Sequence, residues 1–156
     1  MPMSKTWSPF AVVTLGVVVW IAGSAIIDWL VLQVYPLPPG LWGNVSMRGI
    51  IATRPNAAVA LNLAGELVLL SIIAFAAPRL AGAATPRAGV WVTGIVVVLA
   101  VTNSLLTANL RWVNAIGFLL FLFCGVSAAR RSAVTLQRAA TLAPDAHLSV
   151  GPQDAS

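Results

Sequence analysis

Four apolar runs, each about as long as a bilayer is thick, leave this chain few ways to fold. They cover residues 10–34, 57–77, 89–109 and 112–129. A helix rises about 1.5 Å per residue, so about 20 residues cross a hydrocarbon core roughly 30 Å thick. Lipid cannot satisfy a bare backbone, so each run must be a helix. The segments between them carry the residues that interrupt helices. Pro36, Pro38, Pro39 and Gly40 precede the second run, and Pro78, Gly82 and Pro86 precede the third. Arg111 alone marks the turn before the fourth. The expected fold is an all-α, four-transmembrane-helix bundle over residues 1–131 with both termini cytoplasmic. A cytoplasmic tail over 132–156 is expected to be helical to about 142 and disordered after Pro144.

Composition leads the same way. The chain is 59% hydrophobic and 8% charged, against about 25% charged residues in a soluble domain. The net charge of +5 would suggest nucleic acid in another setting. Here the basic residues flank apolar runs, so the expected partner is the lipid bilayer and not nucleic acid. The one cysteine, Cys124, allows no intramolecular disulfide, and the one histidine, His147, lies in the tail. A His/Cys metal site or a bis-histidine haem cannot be assembled from one chain. No metal, cofactor or catalytic group is expected.

Charge asymmetry sets the orientation. Lys5, Arg79, Arg87, Arg130, Arg131 and Arg138, six in all, fall on one side, and Arg48, Arg54 and Arg111, three in all, on the other. The richer side faces the cytoplasm. Trp7 and Trp91 then stand at the inner interface, and Trp29, Tyr35, Trp42 and Trp112 at the outer one. The first run resembles a signal peptide at its start, but it continues well past the roughly 7–15 apolar residues of a secretory leader. It reads as an uncleaved first helix. Arg-rich, Lys-poor usage, with many Ala and Val, points to a bacterial plasma membrane.

Two of the four acidic residues lie inside apolar runs: Asp28 in the first and Glu66 in the second. Holding a charge at a helix centre costs roughly 2.5 kcal/mol or more. Asp28 sits about 9 Å below the outer end of its helix, counted at the helical rise. Asn62 and Glu66, four residues apart, share a helical face. Asn103 and Thr107 make the same spacing on the third helix, and Asn114 opens the fourth. These groups fall in the outer half and are expected to turn inward around a pocket open to the outside. Arg48, Arg54 and Arg111 are candidates to close over it and pair with Asp28 or Glu66. The candidate ligand- or proton-binding residues are therefore Glu66, Asp28, Asn62, Asn103, Arg54 and Arg111. Paired with an arginine, Glu66 is a structural lock; unpaired, it is a proton- or ligand-binding group. Asn, Thr and Ser also serve as interhelical glue, at about 0.6 kcal/mol each.

Small residues mark expected packing seams. They are Ala60 and Ala64 on the second helix, and the face through Asn114, Gly117, Phe121, Cys124 or Gly125, and Ala128 on the fourth. The favoured functional reading is a small multi-pass membrane protein without catalysis of its own, acting as an accessory or scaffold subunit beside a membrane-protein partner or in a homo-oligomer. The alternative is small-molecule binding or proton-coupled transport through the pocket around Glu66 and Asp28. A membrane enzyme acting on lipid or isoprenoid substrates ranks last, because the repeated Asp motifs that hold Mg²⁺ are missing.

Overall fold

The computed structural model describes residues 7–37, 53–82, 86–106 and 112–142. It contains four long helices: α1 (Pro9–Val34), α2 (Asn56–Leu80), α3 (Arg87–Leu106) and α4 (Trp112–Leu142). All four are long and apolar enough to cross a membrane. The chain is an all-α, four-helix membrane bundle.

The helix starts follow from local chemistry. Ser8 caps α1: its Oγ accepts the Ala11 amide at 3.2 Å, and Pro9 takes the first helical position, where a missing N–H leaves nothing unpaired. Pro55 stands at the cap position of α2 in extended conformation, just outside the helix.

The end of α2 departs from expectation. The helix runs through Pro78 to Leu80 instead of stopping near Ala77. Proline at this point removes one bond, the one its N–H would give to the Ala74 carbonyl. Gly89 of α3 packs against that carbonyl, where a Cβ would clash with the oxygen. Gly82, at φ 61°, then turns the chain out of the helix. The third helix begins at Arg87, two residues before the apolar run, and residues 107–111 lie outside the described part. The fourth continues without a break past Arg130 and Arg131 to Leu142. Its 31 residues span about 46 Å at the helical rise, so its C-terminal turns extend beyond a hydrocarbon core. Arg79 of α2 steadies that extension, bonding Thr135 Oγ1 at 3.2 Å and lying over the Phe75 ring at 3.9 Å.

Both α1 and α4 pack on the central pair α2 and α3, from opposite sides. The half of the bundle near the start of α1 is close-packed. Val12, Leu70, Ile73, Val92, Val96 and Phe121 form its core, and glycines bring the helices together. Gly16 lies against Val92 and Ile73, Gly125 against Thr93, and Gly89 against Ala74 and Ala129. The buried face of α4 runs through Asn114, Gly117, Phe121, Gly125 and Ala129, with Cys124 and Ala128 beside it. Ala60 and Ala64 do not form an internal seam, because both are exposed. Outward faces are strongly apolar: Phe10, Phe123 and Trp112 are 81%, 72% and 69% exposed. Such surface suits lipid and not water.

Candidate functional site

At the other end, where α1 finishes and α2 begins, the helices enclose a cavity of about 380 Å³. All four contribute. The first helix presents Trp20, Ser24 and Asp28, spaced by four so that one face carries all three. The second presents Val59, Asn62, Leu63 and Glu66; the third Leu99, Ala100, Asn103 and Ser104; the fourth Asn114 and Phe118. Arg54 reaches in from just before α2.

Two polar pairs organise the walls. Arg54 Nη1 donates to Asp28 Oδ1 at 2.7 Å. The arginine side chain is 16% exposed and the aspartate 47%, so Asp28 stands at the rim. The pair joins α1 to the start of α2 across the rim. The second pair lies deeper along α2, where Asn62 Nδ2 donates to Glu66 Oε1 at 2.9 Å. Ser24 satisfies itself, donating to the Ile21 carbonyl at 2.9 Å. Ser104 and Asn114 are buried, at 8% and 4% exposure.

The side-chain atoms of the lining residues that are buried without a hydrogen-bond partner among the described residues include Trp20 Nε1 and Asn62 Oδ1. An unmet buried donor or acceptor costs about 1–3 kcal/mol. Such atoms in the wall of a single cavity are unusual for a site whose role is only packing.

The structure thus brings Asp28, Arg54, Asn62, Glu66 and Asn103 to one cavity. Asn103 is exposed overall and sits at its edge. Arg48, Arg111 and Thr107 lie outside the described residues. Arg54 pairs with Asp28, and Glu66 with Asn62 on its own helix, so of the two acids offered to Arg54 the structure gives it Asp28. Trp20, Ser104 and Phe118 are wall residues that sequence reasoning passed over. For Trp20 a signal existed. It stands mid-helix, where an interfacial tryptophan has no reason to be.

The fold and this cavity define a multi-pass α-helical membrane protein with a polar intramembrane chamber. No protein-family model, curated protein or solved structure matches the chain.

Proposed function

We propose that this protein resides in a bacterial plasma membrane, both termini cytoplasmic, and binds a small polar solute in the four-helix cavity without chemistry of its own. The observation that carries this reading is the unmatched donor and acceptor in one chamber, Trp20 Nε1 and Asn62 Oδ1. A solute that draws the Trp20 and Asn62 side chains round to it recovers the cost of leaving these buried atoms unmet. The volume lies within the roughly 300–1,000 Å³ of ligand pockets. The close-packed half beneath, drawn together at Gly16, Gly89 and Gly125, stands between the cavity and the opposite membrane face. That arrangement suits binding better than a through-path.

The test is solute access. In a Cys124→Ala background, Ser104→Cys in lipid nanodiscs should react with 2-hydroxyethyl methanethiosulfonate. Leu119→Cys, on the lipid-facing side of α4 at 68% exposure, should not. An unreactive Ser104→Cys sinks the binding reading.

A second reading, an accessory role in a larger membrane assembly, rests on a different observation. Ala60 and Ala64, one turn apart and exposed, lie along an apolar groove between α2 and α4 beside Ile116 and Leu120. Exposed small residues at this spacing let a partner's transmembrane helix approach closely.

A further inference from the structure

We propose that the cavity's solute is a small protonated amine that also carries an oxygen acceptor, the chemistry of a short amino alcohol. This rests on the cavity being a binding site and adds what it selects.

Charge comes first. Asp28 and Arg54 are bonded to one another at 2.7 Å, so the pair adds no net charge at the rim. Glu66 is the other acidic residue among those described, and it lines the same cavity. A cationic solute beside it favours the ionised carboxylate, and an anionic one disfavours it. A cationic solute complements it, and an anionic one is repelled.

Hydrogen-bonding capacity comes second. Glu66 Oε1 takes one donor, Asn62 Nδ2, at 2.9 Å. A carboxylate offers about four acceptor positions, so capacity remains. Asn62 Oδ1 adds a buried acceptor with no partner among the described residues. The two side chains stand one turn apart on the same face of α2. Acceptors gathered around one carboxylate call for a group with several donors. An ammonium has three N–H donors and no acceptor, which suits it to this wall.

The third requirement comes from α1. Trp20 is buried at 8% exposure, and its indole N–H lacks an acceptor among the described residues. An indole nitrogen donates only. An ammonium cannot satisfy it, so the solute needs an oxygen as well. The carbon between the two groups would meet apolar residues of the lining, such as Ile21, Leu63 and Phe118.

The experiment measures protection of Ser104→Cys, in the Cys124→Ala background, against 2-hydroxyethyl methanethiosulfonate at pH 7. Three competitors of similar size differ in charge: 2-aminoethanol, ethylene glycol and glycolate. 2-Aminoethanol should slow the reaction, and the other two should not at a tenfold higher concentration. Glu66→Gln keeps the shape and removes the charge. It should raise the concentration of 2-aminoethanol for half-protection by at least about tenfold, the scale of a charged hydrogen bond. Trp20→Phe should raise it by about threefold or more, the scale of a neutral one. The same change should leave protection by 1-propylamine, which lacks the oxygen, where it was. Protection by glycolate equal to that by 2-aminoethanol overturns the proposal. So does 2-aminoethanol protection that Glu66→Gln leaves unchanged. If Ser104→Cys reacts and none of the three protects it, the amine assignment fails while solute access stands. If it does not react at all, the binding reading has failed first.

Discussion

Gly89 and Gly94 lie five residues apart on α3, and the structure predicts opposite results for the same substitution. A Cβ at Gly89 would sit 2.6 Å from Ala129 Cβ and closer still to the Ala74 carbonyl oxygen. Carbon atoms in contact normally stand about 3.5–4.0 Å apart, so α3 would have to move by roughly 1 Å from both neighbours. Neither obstacle yields easily: one is backbone, and the other is the short side chain of a buried alanine. Overpacking of this kind costs about 1–3 kcal/mol. A Cβ at Gly94 meets nothing within 4 Å. There the change removes only the backbone freedom of glycine, a gain of roughly 0.5–1 kcal/mol in a helix interior. The two variants should therefore differ by about 1.5–4 kcal/mol. For a chain of this size that separates their melting temperatures by roughly 3–16 °C. Thermal unfolding in lipid nanodiscs, followed by circular dichroism, reads the difference. Gly89→Ala should melt below the wild type, and Gly94→Ala at or above it. If Gly89→Ala melts with the wild type, the three-helix approach of α2, α3 and α4 is wrong, and with it the closed half of the bundle.

Two further outcomes are expected. In the Cys124→Ala background, Ser46→Cys should label with an impermeant maleimide in intact cells and Ala140→Cys should not, as the six-to-three charge bias requires; the reverse pattern inverts the topology. Ala64→Leu fills the groove between α2 and α4 and should shift the gently solubilised protein to a smaller complex on a native gel without unfolding it. A wild type that already runs as a monomer removes the case for assembly.

The helices were legible because lipid allows one solution for a long apolar run. Much of the cavity was legible for a related reason. A carboxylate at Glu66 or Asp28 has no partner in hydrocarbon, so each had to turn toward other helices, and Asn62 and Asn114 followed them. What stayed hidden was rotation. A surface helix declares its buried face through apolar periodicity; these helices are apolar almost all round and declare none. On α3, Asn103 drew attention as the more polar residue, yet its neighbour Ser104, about 100° round the helix, is the buried one. Trp20 was hidden in the same way. Ala60 and Ala64 show a further limit, since small residues mark a place where something can approach closely but not which helix does so. At Pro78 the sequence rule failed for a local reason. The bond that proline removes is one whose carbonyl meets Gly89 on the neighbouring helix.

The two halves of the bundle also divide the work of holding it together. The closed half relies on contacts among glycine, alanine and valine, and two of its hydroxyls turn back on their own helices: Thr93 donates to the Gly89 carbonyl at 2.8 Å, and Ser71 to the Leu67 carbonyl at 2.8 Å. Such contacts need no ligand. In the cavity half, α1 and α2 approach through Gly65 against Ile27 and Gly23 against Leu69, and then through the Asp28–Arg54 pair at the rim. Arg54 belongs to the end of the α1–α2 connection, so that ion pair fixes where the connection rejoins the bundle. A solute held between Trp20 on α1 and Asn62 with Glu66 on α2 adds a tie between the same two helices. Its free energy appears as stability in proportion to RT ln(1 + [L]/Kd). That gain reaches the junction of α1 with α2 first, because the closed half is already packed. On the binding reading, the first place to gain is the rim, where Asp28 of α1 meets Arg54 just before α2.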